Sequence, residues 1–172
     1  MFRNKGGVMI NIRRITQNDA PHVKALIENI MHKEFLSSKT AYATNDIEDP
    51  VKYYGGERDI FLVAEEDGKI IGTVAIKEDT PHTALLRRFF VSPEYRKRGY
   101  GKQLIRQAMD FCFNHNYQNV IFRGTDKMQS ALKVCLMEGF KEHDVLAGTD
   151  FKMFVLEKAL SANSQKKSYQ LQ

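Results

Sequence analysis

The sequence predicts a single α/β domain (mixed α+β): a central, mixed but mostly antiparallel sheet of about seven strands with helices on its faces. Three observations predict it. Two β-rich runs, residues 60–64 and 70–76, flank Asp67-Gly68, a strong hairpin signal. A third run, residues 84–91, extends that hairpin into an antiparallel meander. After Val91 the apolar period changes from two to 3.6, and helical and strand-like patterns then alternate without an internal repeat. Such an order of elements closes a sheet covered by helices.

Residues 1–8 read as a leader, and 9–160 as the domain. Ile10, Asn11, Ile12 and Arg13 alternate as in a half-buried strand. Thr16 and Asp19 then offer caps, and Pro21 suits a first helical turn. Val23, Leu26, Ile27, Ile30 and Met31 follow at helical spacing, so a helix runs to about Leu36. Residues 37–56 have no clear period and hold an acidic cluster, Asp46, Glu48 and Asp49, before Pro50. A connection of that length, a loop or short helical pieces, is often functional. Beyond the meander, Leu104, Ile105, Ala108, Met109 and Cys112 share one helical face. Val120, Ile121 and Phe122 read as a short buried strand. Met128, Ala131, Leu132, Cys135 and Leu136 form another helical face, stopped by Gly139. Strand-like runs follow near 141–147 and 151–157, and the polar residues 161–172 read as a disordered tail.

Of the 172 residues 42% are hydrophobic, enough for a core, which excludes a disordered chain or a collagen-like one. No apolar run approaches the roughly 18 residues of a membrane span. Two cysteines outside any CxxC pair make no disulfide framework, so a reducing, cytoplasmic setting is expected. The five histidines have no ligand spacing, and no metal is expected. The net charge of +5 is concentrated: seven cations and one anion, Glu94, lie between Arg87 and Arg106. A nucleic-acid partner is not expected, since no aromatic–basic recognition motif accompanies the charge. A membrane partner is not expected either.

That stretch carries the chemistry. A strand ends at Val91, Pro93 prevents its continuation, and Arg96-x-x-Gly99-x-Gly101 opens a helix. Glycines let the backbone pass close to a ligand, and the first-turn amides and the positive end of the helix dipole favour an anion. Arg96, Lys97, Arg98 and Lys102 surround the bend with charge. The pattern suits a pyrophosphate. A P-loop lacks its GxxxxGK[ST], and a Rossmann turn would need glycine where Leu104 stands.

With these residues the sequence resembles the GNAT superfamily of N-acetyltransferases, whose acyl-CoA motif is [Arg/Gln]-x-x-Gly-x-[Gly/Ala]. The likeness runs from about Ile10 to Leu156. It includes the hairpin ending at Gly72, the run from Leu86 to Arg96, and Ala131 to Phe140, which is similar to the family's Ala-x-x-Leu-Tyr-x-x-x-Gly-Phe. The resemblance implies a sheet splayed between its fourth and fifth strands, with acetyl-CoA in the gap. It implies that main-chain groups of Phe89, Phe90 and Val91 hold the pantetheine arm. Backbone amides from Arg96 through Lys97, Arg98, Gly99, Tyr100 and Gly101 to Lys102 would bind the pyrophosphate. Met128 and Ala131 would line the far side of the thioester. The implied reaction is direct acetyl transfer to a primary amine of a small molecule or a protein.

The sequence departs from the family at three positions. Cys135 stands where a proton-donating Tyr is frequent, Met128 where an Asn is, and Leu85 where a basic Glu is. Cys135 could protonate a departing thiolate, but a small core residue is the favoured reading. Glu34, Glu78 and His82 are candidate bases, each also readable as a solvated surface residue. Arg87 and Arg88 should point to opposite faces of their strand, one of them, Arg87 by choice, clamping a substrate carboxylate. The acidic loop could attract a cationic amine or simply be solvated. The three losses leave a second class open, a non-catalytic acyl-CoA-binding or regulatory module.

Overall fold

The computed structural model describes residues 2–3, 9–35 and 43–161. The strands are β1 (Phe2–Arg3), β2 (Met9–Arg14), β3 (Ile60–Glu66), β4 (Lys69–Glu78), β5 (Thr83–Val91), β6 (Asn119–Thr125), β7 (Lys141–Ala147) and β8 (Lys152–Ala159). The helices are α1 (Ala20–Glu34), α2 (Pro50–Tyr53), α3 (Tyr100–Asn114) and α4 (Gln129–Met137). One sheet takes them in the order β1-β2-β3-β4-β5-β6-β8-β7, with β5 and β6 parallel and every other pair antiparallel. Seven strands are full length. The eighth, β1, pairs Phe2 and Arg3 with Ile10 and Met9, so two residues assigned to a leader belong to the sheet. The proposed tail lies outside the described residues beyond Ser161.

The hairpin at Asp67-Gly68 forms as its chemistry requires, both residues having positive φ. β4 is buried continuously from Ile71 to Ile76, the mark of a strand covered on both faces, and α1 and α3 both pack against it. Gly72 permits the approach of α3: a Cβ there would lie 3.0 Å from the Leu104 side chain. The described helices are too short or too polar to cross a membrane.

Two irregularities of β5 shape everything that follows. The ladder between β5 and β6 runs from Thr83–Asn119 to Leu86–Phe122 and stops, although both strands continue. Opposite β4, Arg88 and Phe89 stand against Val74 alone, a bulge in which Arg88 has φ 50°. Such a backbone is costly for a side chain with a Cβ. Its support is a buried network. The Arg88 carbonyl accepts from the Thr73 hydroxyl at 2.7 Å, and the Arg88 guanidinium forks onto Asp46, with Nε to Oδ2 at 2.8 Å. The same guanidinium donates to the Ala43 carbonyl, and Tyr54 completes the carboxylate at 2.5 Å. Asp46 is 0% exposed and Arg88 6%.

This network overturns both expectations for Asp46, which neither meets solvent nor waits for an amine, while Glu48 and Asp49 are exposed as a solvated loop requires. Glu48 pairs with Lys24 at 2.8 Å, and Asp49 caps α2 through the Lys52 amide. Arg87 and Arg88 also fail to separate cleanly, because the bulge breaks the alternation: Arg87 stands 3.9 Å from the same Asp46. Of the long connection, residues 36–42 lie outside the described residues; the remainder forms a 3₁₀ turn (Asn45–Ile47) and α2.

Candidate active site

The glycine bend is built from backbone conformation. Lys97 and Gly99 both have positive φ, 61° and 84°, and α3 begins at Tyr100 directly after them. Gly99 occupies the cap position and brings no side chain to satisfy the first-turn amides. Gly101 faces Phe89 so closely that a Cβ would come 3.2 Å from its ring. The Tyr100 ring turns inward and donates to buried Glu66, so its main chain is the part offered at the bend.

The surrounding cations divide into two sets. Arg96 is committed to protein: its guanidinium forks onto Glu34 at 2.7 and 2.9 Å, and its Nε donates to the Val91 carbonyl at 2.9 Å. It therefore ties the end of α1 to the bend, rather than adding free charge as expected. Glu34 lines the cleft and is held by this fork, so its carboxylate is paired with Arg96 rather than solvated. Arg98 lies over the Tyr95 ring. Lys97, Lys102, Lys127 and Lys133 line the cleft and give its rim a positive potential.

Beyond the last β5–β6 pair the sheet opens into this cleft, about 1010 Å³ in volume. One wall is Phe89, Phe90 and Val91; the other is the start of α4 with Met128, Ala131 and Val134. A second cavity of about 270 Å³ lies deeper along the same split, between Leu85 and Arg87 of β5 and Ile121 and Arg123 of β6. Phe90 and Met128 line both, so the two spaces meet there. Acyl-CoA chemistry fits these residues: a glycine cradle that a single Cβ would crowd, a cationic rim, and a strand edge without a neighbour.

Cys135 is absent from both linings and 0% exposed, and burial pushes its thiol well above the ordinary range. The role of general acid is withdrawn, in agreement with the core reading. Cys135→Ala is expected to keep most of the acetyl transfer rate and cost about 1 kcal/mol of stability, the scale of a small core deletion. A collapse in kcat with intact acetyl-CoA binding, measured side by side, would reverse this assignment.

Two other candidates are also withdrawn. Glu78 is exposed and pairs with Arg58 at 3.2 Å, and His82 is exposed in the following turn. Both sit at the closed end of the β5–β6 pair. At about 3.3 Å per residue, Phe89 is roughly 20 Å along the strand from Thr83. Arg87 does line the smaller cavity, where its Nη1 donates to the Tyr53 hydroxyl at 3.3 Å. Sequence reasoning missed Tyr53, Tyr54 and Arg123, and named Asp46 without its partner Arg88. The parallel register reveals Arg123, but a pattern of isolated runs does not contain that register. Among the described residues no group of acidic, His and Cys side chains could hold a metal.

The chain forms an open mixed sheet with a split parallel pair and a glycine bend at the mouth of the split. Residues 25–136 match the model of the acetyltransferase (GNAT) family, and the chain belongs to that family. It is 29% identical over 118 residues to a probable N-acetyltransferase camello of Xenopus tropicalis, covering 67% of this chain and 54% of that protein. It is 30% identical over 110 residues to the N-acetylaspartate synthetase of the same organism, covering 60% and 41%. It is 33% identical over 103 residues to human N-acetyltransferase 8, covering 56% and 45%. The chain thus spans about half the length of these relatives. A GNAT acetyltransferase of Staphylococcus aureus Mu50 has the same fold, with TM-score 0.76 and 21% identity over 89% of this chain and 100% of that one.

Proposed function

We propose that the protein transfers the acetyl group of acetyl-CoA to a primary amine of a small molecule or a protein, by direct attack with both substrates bound. The supporting observation is the end of the β5–β6 ladder at Leu86–Phe122, directly before Phe89, Phe90 and Val91 and facing α4. Past that point the β6-facing edge of β5 has no strand to pair with, and a peptide-like pantetheine arm can take the place of one. The amides of the bend and the first turn of α3 hold the pyrophosphate, and the lysine rim adds charge.

Acetyl-CoA supplies a thioester carbonyl that a neutral amine attacks: the C–N bond forms, the C–S bond breaks, and the amine proton leaves to the thiolate or solvent. The chain's part is to hold the two reactants in line, which alone makes a bimolecular step effectively intramolecular. A main-chain N–H near the β5 bulge polarises the carbonyl oxygen. A thiolate is a far weaker base than an alkoxide, so the departing sulfur can leave unprotonated and take its proton from the amine or from solvent. The frequent Tyr is thus dispensable where Cys135 replaces it. Both cysteines are free, buried thiols, which supports a reducing, cytoplasmic setting.

The test is release of coenzyme thiol from acetyl-CoA across a panel of amines, with calorimetric binding of acetyl-CoA on the same sample. Amine-dependent release is expected. Tight binding without release on any amine would favour the non-catalytic module, the reading supported by Leu85, Met128 and Cys135 at three polar positions of the family pattern.

A further inference from the structure

The smaller cavity has a charge arrangement that the acetyl transfer reading does not use. The parallel ladder ends at Leu86–Phe122, and the next residue on each strand, Arg87 and Arg123, stands where the two strands part. Both line this cavity, together with Leu85 and Ile121. Two guanidinium groups lining one small cavity repel each other and favour an anion between them. The carboxylate near Arg87 among the described residues is Asp46, at 3.9 Å, and it is already bonded to Arg88 and Tyr54. Among the described residues no acidic side chain lines the cavity, and exposed Arg123 has no ion pair.

We propose that the acetyl acceptor is a small amine bearing a carboxylate, an amino acid or a compound like one, and that Arg87 and Arg123 together bind that carboxylate. The inference rests on the acetyltransferase reading and specifies its substrate. The Tyr53 hydroxyl accepts from Arg87 Nη1 and its ring lies 5.8 Å from the guanidinium, so the fork is oriented before a ligand arrives. The remaining walls, Leu85, Ile121, Met128 and Met153, are apolar and suit a compact side chain. Because Phe90 and Met128 are shared with the larger cleft, an acceptor anchored at the arginines presents its amine towards the thioester. A volume of about 270 Å³ admits one free amino acid and little more. A protein lysine brings no carboxylate to this depth.

The test measures initial rates of coenzyme thiol release by the full chain with L-alanine, L-leucine, L-methionine and L-aspartate, each against its α-carboxamide. The amide's amine is the less basic and more often neutral, so any intrinsic bias runs against the expected result. At least one acid is expected to exceed its amide in kcat/KM by about 10- to 100-fold, the worth of a charge-assisted hydrogen-bond pair. Arg123→Gln is expected to bring that ratio within about threefold of unity by raising KM for the acid rather than lowering kcat, and Arg123→Lys to restore part of it. Turnover of acids and amides at equal rates, or an unchanged ratio in Arg123→Gln, overturns the inference and leaves acetyl transfer standing. No release with any amine overturns both.

Discussion

Gly101→Asp is expected to weaken acetyl-CoA binding by about 100-fold or more while the domain stays folded. Gly101 is the second residue of α3, at the bend that the pyrophosphate would occupy. A carboxylate about 4 Å from a phosphate charge costs about 4 kcal/mol at an effective dielectric of 20, and tenfold in affinity is about 1.4 kcal/mol. The new Cβ also presses on the Phe89 ring at 3.2 Å, so the pantetheine wall must give. A negative charge in the first turn favours the helix itself, by about 0.3–1 kcal/mol, which offsets part of the crowding. Stability and affinity therefore move separately. Calorimetry with coenzyme A alongside thermal melting reads both, and an affinity within threefold of the parent rules out the bend as the diphosphate site. Gly99→Asp is the less clean companion, since φ +84° strains any residue with a Cβ.

Arg88→Ala is expected to destabilise the protein by about 3–5 kcal/mol, the cost of leaving one member of a buried ion pair alone. Asp46 would remain fully buried with Tyr54 as its remaining close partner. Burial alone would raise the Asp46 carboxyl, but the hydrogen bonds from Arg88 and Tyr54 and the nearby positive charge outweigh it and hold the group below its ordinary range. The sign follows from that depression. The stabilisation is fully present above the unfolded carboxylate pKa of about 3.9 and is lost as pH falls through the lower folded value. Asp19, held low first by its hydrogen bond from Arg13, acts in the same direction. Urea unfolding of the parent should thus be nearly flat from pH 5 to 8 on this account and weaken below about pH 4. In an Arg88→Met, Asp46→Leu double variant the acid-side loss should be smaller. A cost below 1 kcal/mol for Arg88→Ala would show that the bulge stands without the pair. Acetyl transfer should fall in the same variant even where it remains folded, because the φ 50° at Arg88 shapes the main chain next to Phe89 and Phe90.

The elements were legible because their signals are local. Asp67-Gly68 specifies a turn within four residues, the alternation around Ile10 specifies a half-buried strand, and the spacing from Leu104 to Cys112 specifies a helical face. The glycine bend was legible for the same reason: its positive φ values and the α3 start lie within six residues of Arg96. Glu78 and His82 are exposed, as their surface reading has it, whereas the pairing of Glu34 with Arg96 was not legible, because a charged side chain declares its chemistry in sequence but not its partner. Arg96 reaches 62 residues back to Glu34, and Arg88 reaches 42 back to Asp46.

By itself, then, the sequence determined the order of strands and helices, the glycine bend with its cluster of cations, and the family. The tertiary structure alone decided which charges are spent inside the protein and which line a cavity. It buried Asp46 and engaged Glu34, turned Cys135 into the core, and brought Arg87 and Arg123 to the lining of one cavity. The physical reason is range. Backbone preference and apolar periodicity act over a few residues, whereas neutralisation of a charge depends on whichever group the completed fold carries to within about 4 Å of it.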